Sequence, residues 1–283
     1  SDPRWQEADP LDLAGYLVEG KNTIAVEVCY FGTGDGTSPM GKPGFIMNLD
    51  IDEQKILTDD SWFSYLSRSW QPGKYKRWFL RSLQETFDAR LYPYGWDTPD
   101  FIQNTDWVKA LVASDDGRYP SVCNGIPEYA WEIFGDKNVS EIRRRSIPLM
   151  REYSVTRPKL EESMWIHWKR PVEDYFDMLV SDAFDVIHQP VVRQSGDEWL
   201  VEPNGNNAAA LTFSFSEQGV GWPYFTIDAP EGTVVELLVH EAHRLGGPAI
   251  INSHFNSWTR FVCKEGVNTF ETFDFESFRW LQL

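Results

Sequence analysis

The chain has 283 residues, 42% of them hydrophobic, and its 26 Lys and Arg stand against 43 Asp and Glu, a formal charge of −17. That is length for one large domain or two ordinary ones with a buried core. The charge argues against a nucleic-acid partner, because phosphate binding is driven by clustered Lys and Arg, and no apolar run approaches the ~20 residues of a membrane span. The one basic run, Arg143-Arg144-Arg145, reads as solvated surface or as a contact with this acidic chain. Aromatics are the unusual component: 13 Trp, 18 Phe and 11 Tyr, 15% of the residues. Such a load suits pleated, half-buried β faces. Trp and Tyr also stack on sugar rings, although core packing accounts for most of them.

Period-two alternation dominates from the start. Ile24, Val26, Val28 and Tyr30 share one face of a strand over Thr23–Tyr30, and Phe45, Met47, Leu49 and Ile51 share one face of the next. Between them the glycines of Gly32-Thr33-Gly34-Asp35-Gly36 mark a loop; the spacing does not fit a dinucleotide fingerprint. Lys55–Trp62 carries a turn at Asp59-Asp60 and another strand. Thr105–Val112 reads as a short helix with Thr105 as its N-cap. Composition shifts at Ser114-Asp115-Asp116-Gly117, taken as the start of a linker. Glu173–Ile187 is the second helical expectation, with Phe176, Leu179, Val180 and Phe184 on one face. From Ala210 strands return: Leu211, Phe213 and Phe215 alternate with polar residues, and Tyr224–Asp228, Val234–His240, Thr259–Cys263 and Thr269–Phe275 follow. No internal repeat of fixed period is visible. The expectation is a mainly β chain: two antiparallel β-sandwich domains with few short helices.

Chemistry-bearing patterns are sparse. Cys29, Cys123 and Cys263 are odd in number and far apart, so they are read as buried thiols. No GxSxG elbow and no phosphate-binding glycine loop occurs. His240-Glu241-Ala242-His243 invites a metal, but residues three apart on a strand face opposite sides, so a strand end with polar side chains is the better reading. Glycoside hydrolysis needs two carboxylates ~5–9.5 Å apart across a cleft, and adjacent acids such as Asp59/Asp60 do not provide that. Two aromatic clusters stand out. In the first, Asp88 and Arg90 share one face of an extended segment, able to pair or to hold a sugar hydroxyl, near Trp96 and Trp107. In the second, Trp165-Ile166-His167-Trp168, Trp165 and His167 share a face and could form a sugar platform, with core packing as the competing reading.

These segments carry a resemblance. Leu13–Val26, Pro43–Leu49, Thr58–Trp62, Glu85–Arg90, Gly95–Phe101 and Asp106–Ala110, in that order and spacing, resemble the N-terminal accessory domain of bacterial α-L-rhamnosidases. Phe213–Gly221, Asp228–Thr233, His240-Glu241 and Phe275–Trp280 look like the β-sandwich that precedes the catalytic domain in the same family. The resemblance implies a partial galactose-binding-like (jelly-roll) sandwich over residues 1–113, a linker over 114–142 and a second sandwich over 143–283. It implies a parent enzyme that hydrolyses terminal α-L-rhamnose with inversion, one acid protonating the leaving oxygen and one base activating water. Those groups belong to an (α/α)6 barrel with a motif of the Asp-Cys-Pro-x-Arg-x-Glu-Arg kind, which has no match here. The expectation is therefore a non-catalytic region, cut at both ends, with the barrel of the same polypeptide and a rhamnose-containing glycan as partners. Some jelly-roll modules of the family bind rhamnose with calcium, the one cofactor considered. On that basis Asp35, Asp88, Arg90 and Trp96 are the expected sugar contacts. A periplasmic or exported location is slightly favoured. The rival readings are a free-standing lectin-like protein and a purely structural module.

Overall fold

The computed structural model describes residues 7–29, 44–71, 85–112, 143–155, 158–172, 182–189, 191–196, 198–252 and 258–283. The chain divides into two compact units, Ser1–Ser67 with Tyr92–Tyr153, and Arg68–Leu91 with Ser154–Leu283. Both are mainly β. The helical elements described include three-residue 3-10 turns at Ala14–Tyr16, Ala89–Leu91 and Ile250–Asn252.

The second unit is built on an eight-stranded sheet. Its order is Phe184–Ile187, Lys159–Trp168, Ala208–Gly221, Glu276–Gln282, Val234–His240, Trp258–Val262, Thr86–Asp88 and Trp70–Gln71. All neighbours are antiparallel except Trp258–Val262 and Thr86–Asp88, which run parallel. The sequence reading had placed Thr86–Asp88 among the first 113 residues; here Arg260, Phe261 and Val262 pair with Thr86, Phe87 and Asp88.

The alternation of the strands decides what is buried. Val235, Leu237, Phe261, Phe213 and Leu211 all point into the interior. A separate two-stranded ribbon, Tyr224–Ala229 with Gly266–Glu271, brings Phe225 and Phe270 to the sheet. Phe270 stacks on Phe261 at 4.6 Å between ring centroids, while Phe225 meets Phe261 at 5.4 Å and Phe87 meets Phe270 at 5.9 Å, both edge to face. Such pairs add about 0.5–1.5 kcal/mol each beyond their buried area. A second apolar cluster joins Met164, Ile166, Ala210, Leu238, Ile250, Ile251, Trp258 and Trp280. Trp165 is also buried, at 5% exposure.

The described parts of two expected helices contain β-structure. Over Thr105–Val112, Asn104 rather than Thr105 organises the chain: its Oδ1 accepts the Asp106 N–H and its carbonyl accepts the Trp107 N–H. That closes a turn, and Val108–Lys109 then pairs with Phe63–Ser64. Of Glu173–Ile187, residues 173–181 lie outside the described set. Phe184–Ile187 is a strand, because Trp165–Trp168 offers it a ladder. The converse occurs at Thr23–Cys29, which has strand alternation but belongs to no assigned strand. The expected turn at Asp59-Asp60 forms, with Asp59 Oδ1 accepting the Ser61 N–H. The arginine run is a contact within the chain: Arg143–Arg144 pairs with Glu7–Ala8, and Arg145 is bonded to Asp9. Cys263 is buried as expected and Cys29 is exposed, contrary to the sequence reading. Cys123 lies outside the described residues.

In the middle of the large sheet Gln282, 1% exposed, lies between Thr212 and Leu238. Its Nε2 donates to Thr212 Oγ1 at 2.7 Å and its Oε1 accepts the Ile251 N–H at 3.0 Å. Each buried polar group left without its partner costs about 1–3 kcal/mol. Gln282→Leu is therefore expected to lower the unfolding free energy by roughly 2–4 kcal/mol. Thr212→Val in that background should recover part of the loss, since it removes one orphaned hydroxyl. Urea denaturation of the single and double variants measures both; an additive double variant would show that the two side chains are not coupled.

Candidate functional site

Two groupings hold the residues singled out in the sequence. The first lies in the second unit, where the Thr86–Asp88 strand passes into the 3-10 turn Ala89–Leu91. The Asp88 carboxylate takes the Arg90 guanidinium in a fork, Oδ1 from Nε at 2.9 Å and Oδ2 from Nη2 at 2.7 Å. Oδ1 also accepts the Arg90 backbone N–H at 3.0 Å. The hydrogen bonds from Arg90 hold the Asp88 carboxyl below its ordinary value, and Asp88 in turn raises the guanidinium. Of the two outcomes open to this pair, the ion pair is the one formed. Both carboxylate oxygens face a cation, so Asp88 is a poor fit for a calcium ligand, which must offer oxygens to a second positive charge. Among the described residues no group of three or more His, Cys, Asp or Glu is arranged to hold a metal.

The second grouping lies in the first unit. The turn Gly95–Thr98 presents Trp96, whose ring stacks on Trp107 at 6.1 Å and 26°. Trp107 stacks in turn on Tyr65 at 5.1 Å and 23°, with Phe101 edge-on at 5.4 Å. Trp96, Trp107 and Tyr65 are all half-buried. Trp96 Nε1 donates to Tyr92 Oη at 2.7 Å, and the Tyr92 hydroxyl donates to Glu27 Oε1 at 2.7 Å. Desolvation, opposed by the indole N–H and reinforced by the Glu27 carboxylate, pushes the Tyr92 phenol up to about 12. The phenol therefore stays protonated and keeps donating to Glu27 at neutral pH. The chain Glu27–Tyr92–Trp96 fixes the indole in its plane. Sequence reasoning missed Tyr92 and Glu27. Tyr92 was within reach as the aromatic four residues before Trp96, whereas Glu27 is 65 residues from Tyr92 and only folding brings it there.

Asp88 and Arg90 thus belong together, Trp96 belongs to the other unit, and Asp35 lies outside the described residues. The Trp165–His167 platform does not exist, because Trp165 is core and only His167 is exposed, with Nδ1 2.9 Å from Asn207 Oδ1. His240 and His243 diverge: His240 Nδ1 accepts the Ala242 N–H, and His243 Nε2 lies 2.7 Å from Glu162 Oε2 beneath Trp280.

No protein-family model matches the chain, and no curated protein matches it. A solved structure of a GH78 family rhamnosidase from Bacillus sp. GL1 matches 26% of this chain and 8% of its own, at 20% sequence identity and a TM-score of 0.21.

Because the Asp88 carboxyl lies below its ordinary value of 3.8, the pair contributes stability that is present above the unfolded-state value and is lost as pH falls through the folded one. Acid titration of the urea midpoint should fall below about pH 4, and Asp88→Asn should flatten part of that limb. An acid limb unchanged in Asp88→Asn would show that the pair contributes nothing to stability.

Proposed function

We propose that this chain is the accessory, non-catalytic region of an α-L-rhamnosidase-like glycoside hydrolase, supporting a catalytic (α/α)6 barrel of the same polypeptide and contacting rhamnose-containing glycans. The observation that carries the reading is the ordered series of segments from Leu13–Val26 to Asp106–Ala110. Support comes from the β-rich character of the described residues, which suits galactose-binding-like sandwiches. The sugar contact is assigned to the Trp96 face, since a half-buried indole held in plane by Tyr92 and Glu27 offers a rigid apolar surface for a pyranose ring. The Asp88–Arg90 fork serves the framework first and offers Arg90 at its solvent side. Asp35 remains part of the proposal as an acid of the glycine-rich segment Gly32–Gly36.

Titration calorimetry with L-rhamnose, in calcium and in chelator, is expected to give heat at millimolar sugar, and Trp96→Ala should remove it. Absence of heat in both buffers overturns the sugar contact. The same protein should leave an aryl α-L-rhamnoside intact, and turnover would overturn the non-catalytic role. A reading frame that continues beyond Leu283 into barrel helices supports the accessory role. A stop codon directly after Leu283, with sugar binding retained, would favour a free-standing carbohydrate-binding protein.

A further inference from the structure

Two five-residue segments, one in each unit, close on themselves in the same way. In Val18-Glu19-Gly20-Lys21-Asn22, Asn22 Oδ1 accepts the Val18 N–H at 2.9 Å. Its Nδ2 donates to the Val18 carbonyl at 2.9 Å and to the Gly20 carbonyl at 3.3 Å. In Lys264-Glu265-Gly266-Val267-Asn268, Asn268 Oδ1 accepts the Lys264 N–H at 2.9 Å. Its Nδ2 donates to the Lys264 carbonyl at 2.9 Å and to the Gly266 carbonyl at 2.7 Å. The central glycines have φ of 100° and 80°, the left-handed region that a Cβ disfavours. The sequences agree as Glu-Gly-x-Asn-Thr followed by an apolar residue, Ile24 or Phe270. A match that short arises easily by chance. Three equivalent hydrogen bonds and a shared backbone conformation are a separate observation.

The chemistry explains why the residue is asparagine. One side chain must accept from a backbone N–H and donate to two carbonyls at once, which an amide does and a carboxylate cannot. Glutamine carries the same groups one methylene further out. A turn closed by its own asparagine satisfies backbone groups that have no ladder partner there. In the second unit this turn joins Trp258–Val262 to Gly266–Glu271, and Asn268 is buried at 2% exposure. In the first unit Asn22 is exposed.

We infer that the chain contains an internal repeat, in which Val18–Ile24 and Lys264–Phe270 are two copies of one asparagine-clamped turn. Thr23–Cys29 is then the counterpart of Thr269–Phe275. The inference stands apart from the proposed sugar-binding role and survives its failure.

Hydrogen exchange on the whole chain tests it. The Val18 and Lys264 amides should both exchange on the order of tenfold or more slowly than in an open chain. Asn22→Ala should restore fast exchange at Val18 alone. Asn268→Ala should do so at Lys264; should that variant fail to fold, protection of the Asn268 side-chain NH2 in the unaltered protein replaces it. The interchangeable copy is tested by moving the variable residues between turns, Val18→Lys with Lys21→Val in one protein and Lys264→Val with Val267→Lys in another. Protection retained in both exchanges supports the repeat. An unprotected Val18 amide in the unaltered protein, or loss of protection on exchange, overturns it.

Discussion

A single buried amide constrains the centre of the larger unit. Gln282 occupies the row between Thr212 and Leu238, and neither end of its side chain has access to water. Its donor goes to Thr212 and its acceptor to the Ile251 N–H. A shift of one residue along the strand would turn Gln282 to the other face and leave all three groups without partners. The end of the Glu276–Gln282 strand around Gln282 is therefore held in one register against both neighbours, and against Ala208–Gly221 the register shifts only further on, between Ser214 and Gly219. Leu283 adds a reciprocal backbone pair with Leu211. The same amide pins the Ile250–Asn252 turn over the sheet and so completes the cluster around Trp258 and Trp280.

The aromatic residues divide between two tasks under this frame. In the second unit Phe87, Phe225, Phe261 and Phe270 form an interlocked set between ribbon and sheet, with Phe261 stacked on Phe270 and the other contacts edge to face or tilted. In the first unit Tyr65, Trp107 and Trp96 stack while remaining half-buried, and the last ring is anchored by a hydrogen-bond chain. The first arrangement removes apolar area from water. The second keeps a rigid aromatic surface near solvent, the arrangement that a planar or chair-shaped ligand can use without ordering cost.

Polar residues follow the same logic of completion. Asp88 spends both oxygens on Arg90, Asn268 spends its whole amide on its own turn, and Glu162 divides its oxygens between His243 and the Gly246 N–H. Residues that look reactive in a linear sequence are thus occupied by structure. Asp88 and Arg90 do meet, across the junction of strand and 3-10 turn, whereas the histidines of His240-Glu241-Ala242-His243 part because the strand ends at His240 and His243 lies beyond it.

By itself the sequence determined the β character of the chain, most strands after Ala208, the turn at Asp59-Asp60 and the meeting of Asp88 with Arg90. All of these depend on neighbours within a few residues. Period-two alternation could not say whether Thr23–Cys29 would find a ladder, and helical spacing over 173–187 gave no warning that Phe184–Ile187 would pair with Trp165–Trp168. Tertiary structure alone decided that Thr86–Asp88 joins the second unit beside Trp258–Val262, that Trp165 is core, and that Glu27 reaches Tyr92. The physical reason is common to the three. Each contact joins residues far apart in the chain, and strand pairing or burial supplies the free energy that local preference cannot.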